Sequence, residues 1–179
     1  MAFFTWHGCV LDVKCDAGDV FAYTVNSDDC THNVAFVNTH AQLEAMRDVA
    51  LSNNTEGPRV LVVGAANTGK STLCRVLASY ACKLQRAPLF VDLDPNDGSI
   101  SIPGTLSVAP ITLSSFSVLE YDSIIDTTPL NLWFGSTNLS SNNKDLYQAQ
   151  VSALGRKMDQ RLSTDTDTAR ASGIIVNTN

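Results

Sequence analysis

At 179 residues the chain is long enough for one well-packed core, or for a small domain followed by a medium one. An apolar share of 44% is ordinary for a folded globular protein, and a formal charge of -6 excludes a broad basic surface that grips nucleic acid unaided, so any polynucleotide contact has to be local. No run approaches the roughly eighteen apolar residues of a membrane span, and the first residues lack a basic region followed by an apolar one; a soluble, intracellular protein without membrane contact is expected.

Residues 3–37 alternate short extended runs (3–6, 9–13, 20–25 and 34–37) with clusters of Asp, Asn, Ser and Gly, which predicts a small β-rich unit. Within it Trp6 reads as a packing anchor and His7, a lone histidine, as structural. Asn38 or Thr39 caps a helix over 40–51. Polar residues 52–57 mark the boundary between a small β-rich N-terminal domain with trailing helix, residues 1–51, and a second domain, residues 58–179. Cys9, Cys15, Cys30, Cys74 and Cys82 show neither a C-x-x-C pair nor metal-ligand spacing, and so read as reduced thiols.

Arg59-Val60-Leu61-Val62-Val63 is the apolar run expected of a parallel strand buried on both faces. Directly after it, Gly64, Ala65, Ala66, Asn67, Thr68, Gly69, Lys70, Ser71 and Thr72 fit the phosphate-loop pattern G-x-x-x-x-G-K-[ST]. In that pattern Gly64 and Gly69 take the strained turns so that backbone N–H groups close around phosphate oxygens. Lys70 pairs with the β and γ phosphates, the Ser71 hydroxyl faces a magnesium ion, and Thr72 adds a bond to the α phosphate. A pattern this short also arises by chance; here the context supports it. Residues 70–84 carry Leu73, Val76, Leu77, Tyr80, Ala81 and Leu84 at helical spacing, so the helix start aims its unpaired N–H groups at the phosphates. Strand, loop and helix predict an α/β fold: a P-loop NTPase-like parallel sheet flanked by helices, preceded by the small β-rich domain.

Residues 89–95 read as a second strand, whose parallel return puts its end beside the loop. Strand alternation gives Asp92 and Asp94 one shared face. One carboxylate can hold the magnesium shell and one can take a proton from an acceptor hydroxyl, with Asp94 favoured because it sits at the strand end. The bland reading makes Asp94-Pro95 a strand-ending turn. Residues 96–110 read as a connection near the site and 130–134 as a further strand. An amphipathic helix follows over 145–162, with Leu146, Ala149, Val151, Leu154, Met158 and Leu162 inward, and 173–177 form a last strand. Lys83, Arg86, Arg156, Lys157, Arg161 and Arg170 are the candidates for a local polynucleotide contact, although cations scattered in this way more often form a solvated face. Asn143-Lys144-Asp145 approaches the guanine-reading N-K-x-D motif, but its aspartate is one place early.

A wider set of residues carries a resemblance: Phe4-Thr5-Trp6-His7-Gly8-Cys9, Asn38-Thr39-His40, Gly57-Pro58-Arg59-Val60, and the 64–72 loop with Leu73-Cys74-Arg75. To these add Asp92-Leu93-Asp94, the run G-S-I-S-I-P-G-T over 98–105, Phe134-Gly135-Ser136-Thr137, Leu146-Tyr147 and Asn177-Thr178. Over nearly its whole length the chain resembles the N-terminal and early central part of the Clp-type polynucleotide 5′-hydroxyl kinase family, the ATP-binding subunit of the pre-mRNA cleavage and polyadenylation machinery. The resemblance implies ATP and Mg2+ as cofactors and γ-phosphate transfer to an RNA 5′-hydroxyl end in mRNA 3′-end formation or tRNA processing. It equally implies the alternative of a non-catalytic, ATP-bound scaffold. Implied partners are RNA and other cleavage-complex subunits, and the implied location is the nucleus.

By position the resemblance makes Lys70 a phosphate contact, Ser71 and Asp94 metal contacts, and Asp94 the base on the acceptor hydroxyl. Gly135, Ser136, Thr137 and one of Asn142 or Asn143 would approach nucleotide or RNA. Asn177-Thr178 resembles the start of the family's T-x-G-W clasp. Asp97 departs from the family's usual Gln, and an added negative charge weakens phosphate binding unless it faces away or meets the metal. The resemblance also places an arginine-bearing lid beyond Asn179 and shortens the N-terminal domain at its start, so catalysis by this chain alone is not expected.

Overall fold

A computed structural model describes residues 31–115, 128–164 and 167–179. By internal contact, residues 32–179 form one compact unit and residues 1–31 another. Of the β-rich unit expected over residues 3–37, the part up to residue 30, with Trp6, His7, Cys9, Cys15 and Cys30, lies outside the described residues.

Helix α1 spans Thr31–Asn53, a stretch with neither glycine nor proline, and buries Leu43, Arg47 and Ala50 on one face at intervals of four and three. The expected strand at 34–37 and the expected cap at Asn38 or Thr39 are therefore both overturned: these residues lie inside the helix. A short apolar run has no period of its own, and with no breaker on either side it joins the longer helical pattern. Arg47 is buried and donates Nε–H to the Ser172 carbonyl at 2.9 Å, while Nη1 pairs with Glu44 at 2.6 Å. Arg86 answers from the far side, bonding both Glu44 and Asp48. This ionic seam ties α1 to the elements that follow.

Strand β1 (Arg59–Val62) leads through the phosphate loop into α2 (Lys70–Lys83), and β2 (Leu89–Asp92) returns parallel to it. After β3 (Thr105–Pro110) and β4 (Leu130–Trp133) come α3 (Lys144–Thr164), α4 (Asp167–Ser172) and β5 (Ile174–Asn177). The sheet order is β1-β5-β2-β3-β4. The first three strands are parallel, as expected, whereas β3 and β4 run antiparallel, so the sheet is mixed.

Three expectations change here. The last strand of the chain, β5, inserts between β1 and β2, so the strand ending at Asp92 is one place removed from the loop-bearing strand. β1 is an edge strand, since β5 is its one described neighbour, and it is not buried on both faces: Leu61 is 60% exposed, and Val63, just past its end, 70%. Residues 105–110, expected within a connection, form the almost fully buried β3, since Leu106, Val108 and Ala109 pack inward.

The core lies on both faces of the sheet. Phe90, Ala109 and Ile175 pack with Cys74, Leu77, Ala78 and Cys82 of α2 and Leu43 of α1. Leu89, Val91, Leu106, Val108 and Ile174 pack with Leu154 and Leu162 of α3. Leu84, Leu146 and Ala149, expected on inner faces, are exposed: Leu84 follows the last residue of α2, and α3 turns Tyr147, Val151, Leu154, Met158 and Leu162 to the sheet, which leaves Leu146 and Ala149 off that face. Replacing the buried Leu77 by Ala should cost roughly 2–5 kcal/mol of unfolding free energy. The same change at Leu84 should stay within about 0.5 kcal/mol. Urea denaturation of the two variants makes the comparison.

Candidate nucleotide site

The phosphate loop leaves β1 at the carboxyl edge of the sheet, and α2 starts at Gly69, whose φ of +87° is a left-handed turn open to glycine. Asn67 takes the other left-handed position at φ +61°, not Gly64 as expected. Gly64 serves by its lack of a side chain, since a Cβ there would stand 3.1 Å from Thr68 Oγ1. Thr68 Oγ1 and Lys70 Nζ both donate to the Ala65 carbonyl, at 2.8 and 2.9 Å, and so hold the loop's curl.

Facing the loop is a polar cavity of about 600 Å³, lined by Ala66, Asn67, Gly69, Lys70, Ser71 and Thr72 on one side. Asp94, Asn96, Asp97, Thr137, Asn138 and Asn179 line the other. Lys70, Ser71 and Asp94 are thus brought together as expected, although they come from segments well apart in the chain. A second cavity, of about 350 Å³ between β4 and α3, is apolar apart from Arg156, Lys157 and Gln160 and holds no group suited to chemistry.

Asp92 and Asp94 do not share a strand face, because β2 ends at Asp92 and the chain turns. Asp92 is buried and accepts hydrogen bonds from the Asp94 amide (3.1 Å), the Ser99 amide (3.1 Å), the Ser99 hydroxyl (2.6 Å) and Asn177 Nδ2 (3.2 Å). Burial pushes its carboxyl above the ordinary range, with the Ser99 hydroxyl and the Asp94 amide opposing that shift and the charge of Asp97 adding to it. Asp94 instead caps the turn, accepting from the Asn96 amide at 2.9 Å, and its other oxygen is left for the cavity. The turn reading and the site reading of Asp94 are compatible.

Residues 95–104 fold back to deliver Ser99. Gly98, at φ +60°, lies so close to the returning chain that a Cβ would sit 2.6 Å from Pro103 N. The loop closes with the Gly104 amide on the Pro95 carbonyl at 2.7 Å. Tyr147 of α3 donates to the Leu93 carbonyl at 3.0 Å and steadies the same turn.

Thr137 and Asn138 reach the cavity from the loop after β4, and Ser136 turns back on Asn138. Asn143 is spent on the loop itself, bonding the Ser140 amide and the Asn138 carbonyl, and neither it nor Asn142 lines the cavity. Asp97 meets Arg75 at 3.5 Å and Asn177 at 3.3 Å, so its extra charge is partly neutralised. Sequence reasoning missed Ser99, which meets Asp92 only because the 95–104 loop folds back, and the contacts of Asn177, which are made to residues distant in the chain. The polar Asn177 ending an otherwise apolar strand was the available signal.

The fold and this cavity define a phosphate-loop nucleotide-binding domain of the mixed α/β type. The chain belongs to the CLP1 family: the profile described as mRNA cleavage and polyadenylation factor CLP1 P-loop matches residues 64–179, and the N-terminal beta-sandwich domain of polyadenylation factor matches residues 1–50. Among curated relatives, the polyribonucleotide 5′-hydroxyl-kinase Clp1 of Homo sapiens is 42% identical over 99% of the chain, and the Protein CLP1 homolog of Drosophila mojavensis is 39% identical over the same share. The chain spans about 40% of the length of each. Among solved structures, the wild-type Clp1p–Pcf11p (454–563) complex superposes with a TM-score of 0.68 at 35% identity, covering 82% of this chain and 35% of that one. A second, concerning an extended Pcf11p–Clp1p interface and ATP loss in a glycine-to-arginine point mutant, gives 0.66 at the same identity, with 82% and 36% covered.

Burial pushes the Cys74 thiol up to about 12 and the Cys82 thiol up to about 11, from 9.0. Both keep their protons in the folded state at pH values where the unfolded chain releases them. Stability should therefore be fully present below about pH 9 and fall as pH rises toward 11 to 12, seen as a decreasing urea midpoint. Peptide mapping after iodoacetamide treatment near pH 8 should find both unmodified in the folded protein and labelled in urea.

Proposed function

We propose that the chain is the ATP-binding portion of a polyribonucleotide 5′-hydroxyl kinase-like subunit acting in mRNA 3′-end cleavage and polyadenylation. The carrying observation is the meeting of Lys70, Ser71 and Asp94 around one polar cavity at a helix start. Membership of the CLP1 family supports the reading, as do the printed activity of the curated relatives and the Pcf11p-bound state of the solved ones. The acceptor is then an RNA with a 5′-hydroxyl end, the protein partners are other subunits of the cleavage machinery, and the location is the nucleus.

In this reading the amides of residues 65–72 and the α2 dipole cradle the ATP phosphates. Lys70 exchanges the Ala65 carbonyl for β and γ oxygens, a loop-internal bond for a charge-assisted one. Asp94, exposed to the cavity through its free oxygen, accepts the proton of the attacking hydroxyl. Mg2+ fits the donor chemistry: Ser71 offers a hard oxygen and the neighbouring carboxylates can hold its waters. Ser71 and the carboxylates beside it would hold the ion together with water and the oxygens of a bound nucleotide, the usual way in which Mg2+ is held with few protein ligands. When bound, the ion offsets charge on the phosphates.

A second reading, an ATP-bound scaffold without turnover, draws on one observation: Lys70 is the only cationic side chain lining the cavity among the described residues. Further cations on the transferring phosphoryl group are worth about 10³ to 10⁵ in rate. Incubation of a 5′-hydroxyl oligoribonucleotide with γ-labelled ATP separates the two. Under the kinase reading label transfers to RNA, and Asp94→Asn lowers the rate by about 10² to 10⁴ without loss of ATP binding. Lys70→Ala should lose about 10² or more. Retention of ATP with no label on RNA in the wild-type protein favours the scaffold; absence of ATP binding sinks both.

A further inference from the structure

Between the phosphate loop and the buried carboxylate stands one amide. Asn177 is fully buried at the end of β5, level in the ladder with Val62 on one side and Asp92 on the other. Its Nδ2 faces three acceptors: Ser71 Oγ at 3.2 Å, Asp92 Oδ1 at 3.2 Å and Asp97 Oδ2 at 3.3 Å. Its Oδ1 faces the Ser71 hydroxyl at 3.4 Å and the Cys74 thiol at 3.9 Å. The orientation of the amide is set by this surrounding: reversed, its oxygen would meet two carboxylates, and acceptor would face acceptor twice.

A primary amide has two N–H hydrogens, and here three acceptors compete for them. The competition ends if the Ser71 oxygen turns its lone pairs elsewhere. Its hydroxyl then donates to Asn177 Oδ1, and the two Nδ2 hydrogens serve one carboxylate each. In that arrangement each carboxylate keeps one Nδ2 hydrogen and the Ser71 lone pairs are free to face a cation.

We propose that Asn177 is the positioning residue for the cation site: it orients the Ser71 hydroxyl and joins it to Asp92 and Asp97, so that divalent-ion binding and the placing of both carboxylates occur together. The role rests on the nucleotide-site reading above and adds to it a residue outside the phosphate loop. Asn177 is not among the residues lining the cavity and acts on it through Ser71. Asp97, the family's usual Gln, thereby gains a use, since a carboxylate accepts from Nδ2 where its charge also meets Arg75.

The test compares affinity for a fluorescent ATP analogue in Mg2+ and in EDTA, using wild-type protein, Asn177→Ala, Ser71→Ala and the double variant. Expected is a roughly tenfold loss of the Mg2+-dependent gain in Asn177→Ala, the order of one lost hydrogen bond. Affinity in EDTA should hold, Ser71→Ala should show a similar loss, and the double variant should lose no more than the larger single one. Equal weakening with and without Mg2+ would show a merely structural prop and overturn the role, as would additive losses or an undiminished Mg2+ gain.

Should Asn177→Ala fail to fold, the side-chain amide resonance of Asn177 in 15N-labelled wild-type protein decides the matter. It should move when Mg2+ is added to the ATP complex and stay still in Ser71→Ala; an unmoved wild-type resonance rejects the role. Wild-type protein that binds no ATP under either condition removes the nucleotide-site reading itself, an outcome distinct from failure of Asn177 alone.

Discussion

The parallel register of β1, β5 and β2 is the constraint on which the remaining structure depends. It lines up Val62, Asn177 and Asp92 in one row at the carboxyl edge of the sheet. Adjacent strands stand about 4.8 Å apart, so the spacing from loop-bearing strand to amide to carboxylate is set by backbone hydrogen bonds and not by flexible side chains. The phosphate loop begins two residues past that row, and α2 starts where the loop closes. Slip β5 by one residue and Asn177 would turn to the α3 face, leaving Asp92 buried with one donor fewer.

Packing holds this register from both sides. The α2 face is filled by small residues, Cys74, Ala78 and Cys82, around Leu77, which lets the helix lie close to the sheet and brings Ser71 within reach of Asn177. The α3 face carries the larger aliphatic load, and Tyr147 at its edge binds the turn after β2. The two antiparallel strands extend the buried area and return the chain so that Ser99 lands on Asp92 and Thr137 on the cavity rim. The site is thus assembled at one edge by strands, a helix start and two loops, with the mobile part of the chemistry left to short side chains.

Charge is arranged in the same graded way. Asp92 is inside and saturated with donors, Asp97 is half-screened by Arg75, and Asp94 opens to the cavity. Three carboxylates around a phosphate site would repel nucleotide if all were free. Burial answers Asp92 and an ion pair answers Asp97, while Asp94 is the one left open to the cavity, where the proposed nucleotide-bound ion would meet it; the acidity that seemed a departure at Asp97 becomes part of a hydrogen-bonded cluster.

Local chemistry made much of this readable in advance. The G-x-x-x-x-G-K-[ST] spacing, the apolar run before it and the periodic helix after it identify loop, strand and helix because each is a short-range property of neighbouring residues. The same holds for the strand at 174–177; Asp94 does reach the cavity as expected, but from a turn and not from the strand face it was expected to share with Asp92. What could not be read was order across the sheet: that β5 enters between β1 and β2, that β1 is left at an edge, that 105–110 pair as a strand, and that 34–37 are helical. Strand neighbours are chosen by which faces bury together over separations of a hundred residues, and such choices leave no mark within any one window of sequence. Only the folded chain brings Asn177 between Ser71 and Asp92, because that contact is made by sheet register, a long-range agreement among segments that are individually indifferent to it.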